Sequence, residues 1–246
     1  MAQATPRYVW GLINPTTGVN EQESNDRTER LLPLDVVTVS NGLGISDYTV
    51  EGVDEAMGRY DDLVTDLVGR GAQRVVLAGI PISVQLGRKR VLELMDHTQQ
   101  RSGVPGDAAA EAVIAAMQHL GVSTVAVGSR WAGQVNDALI RYFADAGIEV
   151  LTITSEGQWA QQAFGMSFEM GVRLAFELGR EAMRKAPQAE ALFLPGGAWR
   201  PLPAVPILEE DYGKPVFTNG NTRAWRIIHD GIAPAVSGWG KLLATP

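Results

Sequence analysis

AQRVVLAG (Ala72–Gly79) and AEALFLPG (Ala189–Gly196) share one frame: Ala, a polar residue, two variable positions, an apolar residue, Leu, one more residue and Gly. Each reads as a short buried strand that runs into a loop and then a helix. The two stretches lie 117 residues apart, and the strands expected near Tyr8 and Thr124, and near Asp35 and Glu149, repeat at a similar offset. Two strand-loop-helix segments can share such a frame by chance; the matching order of the neighbouring elements is what favours an internal repeat. Further out, short apolar runs fall at Tyr8–Ile13, Asp35–Val39, Arg74–Ala78, Thr124–Val127, Glu149–Ile153, Ala191–Leu194 and Val216–Thr218. They alternate with helical periodicity over Val50–Arg70, Gly87–Arg101, Asp107–Leu120, Ala132–Ala146, Ser167–Lys185, Val205–Tyr212 and Thr222–Asp230. That alternation predicts parallel strands joined by crossover helices, hence an α/β fold. Gly71, Gly121, Gly147 and Gly231 stand where a left-handed cap would end a helix. The expected architecture is two pseudo-symmetric lobes, each a mainly parallel sheet flanked by helices, over residues 1–115 and 116–220, with a helix and tail over 221–246 crossing back to the first lobe. Loops at the carboxyl ends of parallel strands are where such folds bind ligands, so the candidate site is the cleft between the two glycine loops.

Composition narrows the function. With 246 residues and 45% hydrophobic content, the chain is long enough to bury a sizeable core. Twenty-one basic residues against 28 acidic ones leave a net charge of -7, and the basic residues are scattered, so no nucleic-acid footprint is visible. The sequence contains no cysteine, which excludes disulfides, thiolate metal sites and thiol catalysis. The opening MAQATPRYVWGL is not a basic segment followed by a long apolar run, and no 18-residue apolar span follows, so the expectation is a cytoplasmic protein with no membrane contact.

The strand-end loops hold the candidate residues. In AGIPISVQLG (Ala78–Gly87), Gly79 permits close backbone approach, and the amides of Ile82, Ser83 and Val84 with the Ser83 hydroxyl would form an anion nest. The plainer reading is a strand-to-helix turn that Ser83 caps. In the second loop, Gly196 and Gly197 offer the same approach, while Pro195 has neither a nucleophile nor an N–H, and Trp199 reads as core. LINPTTG (Leu12–Gly18) sets Asn14, Thr16 and Thr17 after the first strand, as anion donors or as turn residues. SNGLGISDY (Ser40–Tyr48) carries Leu43 between two glycines that do not make a dinucleotide fingerprint, then Asp47 and Tyr48, an acid/base-capable pair. Arg130 is a candidate carboxylate clamp with Trp131 as a wall, against an exposed arginine at a helix start; Asn219 and Asn221 are polar contacts or helix caps. His97, His119 and His229 fall within or at the ends of the expected helices, away from these loops.

Taken together, GLINPTTG, SNGLG, VVLAGIPIS, LGVSTVAVGSRWAGQVNDAL, the Gly196–Gly197 pair and GKPVFTNGNTRAW resemble the aspartate/glutamate racemase superfamily, in particular its arylmalonate decarboxylase and maleate cis–trans isomerase branch. The resemblance implies a cofactor-free enzyme that binds a small dicarboxylate between two lobes. Racemases and isomerases of that superfamily rely on cysteine, and the decarboxylases keep only the one in the second lobe. By the same resemblance the first cysteine position is Gly79 here and the second is Pro195; Ile80 stands where the decarboxylases have a hydroxyl-bearing residue, and Trp131 where they have an aromatic hydroxyl.

A proton must still reach carbon in such chemistry, and proline cannot deliver one. Two readings follow. One is a cofactor-independent lyase or isomerase, decarboxylase-like, acting on a small and partly apolar carboxylate with Asp47, Tyr48 or water as the proton source. The other is a carboxylate-binding protein that kept the site and lost the catalysis. A scaffold role has no feature in its favour. The expected partner is a small-molecule carboxylate, not nucleic acid or membrane, and homo-oligomerisation is left open.

Overall fold

A computed structural model of the chain describes residues 5–17, 31–158 and 166–245. Gly18, the last residue of the N-terminal motif, lies outside the described residues. By internal contact the chain divides into two units, 1–111 and 112–246.

In the first unit, β1 (Tyr8–Asn14) pairs in parallel with β2 (Val36–Gly42) on one side and β3 (Arg74–Leu77) on the other, and β3 pairs with β4 (Gly106–Ala108). The sheet order is β2-β1-β3-β4. Parallel neighbours need crossovers: α1 (Val50–Met57) and α2 (Tyr60–Gly69) join β2 to β3, and α3 (Ile80–Leu86) and α4 (Arg88–Ser102) join β3 to β4, while α5 (Ala109–His119) follows β4 and carries the chain into the second unit. Leu12, Ile13, Val75 and Leu77 are at most 1% exposed, as expected of strands covered on both faces.

The second unit repeats the plan with β5 (Thr124–Trp131), β6 (Glu149–Gln158), β7 (Ala191–Leu194) and β8 (Val216–Thr218), in the equivalent order β6-β5-β7-β8. Its helices are α6 (Gly133–Ala144), α7 (Phe168–Lys185), α8 (Val205–Tyr212), α9 (Asn219–His229) and a final turn, α10 (Lys241–Ala244). β6 is one of the two edge strands and is irregular: it gains a residue on β5 at Leu151, and another where Ser129 and Trp131 face Ser155 and Gln158. Two such bulges bend the strand and re-aim the side chains beside them.

The parallel two-sheet α/β architecture agrees with the sequence reading, and the four glycines placed at helix ends all have positive φ. Two expectations are corrected. Val50–Arg70 is two helices, broken at Gly58 and Arg59. Glycine is a weak helix former, and the break lets Tyr60 turn inward to share a 2.8 Å hydrogen bond with Thr98. Asp107–Leu120 begins as strand β4, because Asp107 pairs with β3 and its carboxylate accepts from the Ala108 amide at 2.8 Å. Residues 221–245 group with the second unit. There α10 packs on α9 and β8, Leu242 and Leu243 are fully buried, and the Lys241 amide donates to Glu209 at 2.7 Å.

Candidate functional site

In the first unit the strand ends knit together. The ladder between β1 and β2 continues past both strands, with Leu43 N–H donating to Asn14 O and Ile45 N–H to Pro15 O, each at 2.8 Å. Gly42 lies against Thr16, whose carbonyl oxygen would be 2.3 Å from any Cβ placed there. Gly79, just past β3, has φ +95°, and a Cβ on it would meet the Pro15 ring at 2.8 Å. Conformation and space both require glycine there. Asn14, Thr16, Leu43 and Gly79 are therefore one cluster, with Pro15, which sequence reasoning did not select, as its wall.

Ile80 follows, fully buried, and opens α3. The loop read as an anion nest is this helix: Gly79 is its N-cap, Pro81 presets its first turn, and the Ser83 amide donates back to Gly79 O at 3.3 Å. Ser83 is thus neither cap nor nest. Its hydroxyl is fully buried and has no hydrogen-bond partner among the described residues. Tyr48 is buried, and its carbonyl accepts from Gln85 Nε2 at 2.6 Å, which fastens the β2–α1 loop to α3. Asp47 is half-buried with Oδ1 enclosed and unpartnered among the described residues.

In the second unit the equivalent turn is built more tightly. Pro195 and Gly196 are buried and Gly197 is exposed. Gly196 has φ +98°; a Cβ on it would lie 3.0 Å from Trp131 Cζ2 and 3.6 Å from Arg130 Nε. Its amide donates to Asn219 Oδ1 and its carbonyl accepts from Trp199 Nε1, both at 2.8 Å. Asn219 is the first residue of α9 and pins the turn, while capping falls to Thr218 and Asn221 through a reciprocal box. Trp199 is core, as read, with a polar task added. Arg130 and Trp131 are each 3% exposed, so the arginine is no surface residue and brings its charge into a nearly dry place. A guanidinium stays charged there and presents a planar fork that matches a carboxylate.

The histidines lie elsewhere: His97 contacts Asp61 at 3.0 Å, and His119 and His229 sit 5.2 Å apart beside Trp225, at the ends of α5 and α9. Burial pushes the Tyr60 phenol up to about 12, despite its hydrogen bond to Thr98, which removes it as an acid/base near neutrality. Among the described residues no three acidic, histidine or cysteine side chains converge as metal ligands, and no helix is long and apolar enough to cross a membrane.

Comparison with known proteins fits this arrangement. Arylmalonate decarboxylase of Bordetella bronchiseptica is 25% identical over 244 residues, 98% of each chain. The crystal structure of a liganded double mutant of arylmalonate decarboxylase superposes with a TM-score of 0.85 at 25% identity, covering 96% of this chain and 98% of that one. Maleate cis–trans isomerase of Nocardia farcinica, caught with a covalently bound succinylcysteine intermediate, shares the fold with a TM-score of 0.83 at 16% identity, covering 97% of this chain and 99% of that one. That structure is of a cysteine-to-serine mutant and holds a succinylated cysteine; this chain has no cysteine. The arylmalonate decarboxylase family profile matches residues 18–243, nearly the whole length. With the same strand order in both sheets and a glycine turn after the third strand of each, the chain belongs to the arylmalonate decarboxylase family.

Proposed function

We propose that this protein is a lyase or isomerase of decarboxylase type that acts on a small, partly apolar carboxylate without a cofactor and without a thiol. The observation that carries the reading is Arg130, a buried guanidinium held beside the Gly196 turn. In a decarboxylation the bond from the α-carbon to the leaving carboxylate breaks, its electron pair passes into the remaining carboxylate as an enediolate, and a proton then adds to the α-carbon. Arg130 would neutralise the charge that grows on the retained carboxylate, an interaction strengthened by the low local dielectric. Apolar surface such as Trp131 leaves the departing carboxylate poorly solvated, which favours its loss as neutral carbon dioxide. Gly79, Ile80, Leu43, Asn14, Thr16, Ser83, Gly197 and Asn219 remain proposed substrate contacts. The proton is assigned to Asp47, Tyr48 or water.

The second reading, a carboxylate binder without turnover, is favoured by Pro195 alone, because no proton donor stands at that position. Phenylmalonate, maleate and a panel of other small carboxylates, followed by proton NMR, separate the two. The expected outcome is product from at least one of them, with kcat/KM falling roughly tenfold or more in Arg130→Met, the loss of one charge-assisted hydrogen bond. Asp47→Asn should slow the protonation step and Pro195→Cys should speed it. Thermal stabilisation without product would favour the binder, and neither effect with any carboxylate would sink both readings.

A further inference from the structure

Trp131 is the wall of the Gly196 turn, and its backbone is fixed on both sides. Its N–H donates to Ser129 Oγ at 3.1 Å, and the Ser129 hydroxyl donates onward to Asn136 Oδ1 at 2.7 Å. Its carbonyl accepts from Asn136 Nδ2 at 2.9 Å and from the Ser155 hydroxyl, while Asn136 Nδ2 also donates to Ser155 Oγ at 3.2 Å. Every polar atom of the Asn136 side chain is therefore used, and all three bonds lead directly or through one serine to Trp131.

Asn136 lies in the first turns of α6, whose N-cap, Ala132, offers no side-chain bond. Asparagine is a poor helix former when not capping, and a side chain only 7% exposed must find partners for its amide or forfeit their hydration energy. Here the amide reaches back across the strand-to-helix junction. The junction also coincides with the second bulge of β6, where the register passes over Arg130 and Trp131 pairs with Gln158 one residue out of step. A fully satisfied buried network selects one geometry.

We infer that Asn136 is the positioning residue of this site: through Ser129, Ser155 and both backbone groups of Trp131, it holds the indole against Gly196 and so fixes the shape offered to substrate. The inference rests on the reading of the Gly196 turn as a carboxylate site, and the test keeps the two apart.

The full chain is labelled with fluorotryptophan, giving one fluorine resonance for each of its six tryptophans, and the Trp131 signal is assigned by its loss in Trp131→Phe. Asn136→Asp keeps size and the acceptor for Ser129 but removes both donors; Asn136→Ala is the second variant, and Asn136→Gln asks for rescue. The Trp131 resonance should shift or broaden in Asn136→Asp while the other five stay in place. Phenylmalonate KM should rise about tenfold with a much smaller change in kcat, and Asn136→Asp should add little once Trp131 is already Phe. An unmoved Trp131 resonance, or an equal loss in the Trp131→Phe background, would overturn the inference and leave Asn136 as a purely structural residue. If wild-type protein neither binds nor converts phenylmalonate, the proposed substrate class falls, and the fluorine spectra alone still decide whether Asn136 holds Trp131.

Discussion

Adjacent glycines at 196 and 197 look interchangeable in the sequence and are not. Gly196 has φ +98° and meets Trp131, whereas a Cβ on Gly197 would enter open space. Gly196→Ala is expected to cost about 1–3 kcal/mol, through strain and displacement of the indole, and Gly197→Ala to stay within about 0.5 kcal/mol. Paired denaturant titrations read the difference, and equal losses would mean that the turn is less constrained than its geometry indicates. Glycine at a strand end was legible as a need for close approach; what approaches was not. Pro15 and Trp131 are selected by tertiary packing, and Arg130 read equally well as an exposed helix-start residue until its burial was seen. Asn136 gave only one signal, its place in the quoted segment GSRWAGQVNDAL, because its partners Ser129 and Ser155 come from two different strands.

Two carboxylates bind backbone amides around the second sheet with opposite consequences. Glu190, just before β7, accepts from the Ser123 amide and hydroxyl and the Thr124 amide, and these bonds hold its carboxyl below the ordinary value. Glu209, on α8, accepts from the amides of Val216 and Lys241, yet burial outweighs those bonds and holds its carboxyl above the ordinary value. A lowered carboxyl lends stability above its unfolded value, which is lost as pH falls through the folded value; a raised one lends stability below its unfolded value, which is lost as pH rises through the folded value. The wild-type minus Glu190→Gln difference in stability should therefore shrink toward acid, and the wild-type minus Glu209→Gln difference should shrink from about pH 4.5 upward. Chemical denaturation across that range checks both, and slopes of the same sign would refute the assignment. At this scale the long periodic helices and the β-branched strands were readable. The three-residue β4 and the seven-residue α3 were not, since a strand that short has no alternation to detect, and β4 exists only because Val75, Val76 and Leu77 supply its register.

Across the whole chain, the unit boundary between 111 and 112 falls inside α5, so one continuous helix belongs to both units. Val113, Ile114, Ala116 and Met117 in that helix are at most 1% exposed and belong to the second unit. The internal repeat was legible because strand order and the Ala72 and Ala189 frames recur together. The unequal edges of the two sheets were not, since bulges leave no mark on composition. β2 meets β1 in an unbroken seven-residue register, while β6 slips twice against β5 and carries Gly157 at φ +69°. A sheet that ends on a straight strand offers a row of unpaired amides and carbonyls to any neighbouring chain, a template for aggregation. The outer rim of β6 is interrupted at Leu151 and again at Glu156 and Gly157, which leaves Thr152–Ser155 as its longest regular run and makes this edge a shorter template for an incoming strand than β2.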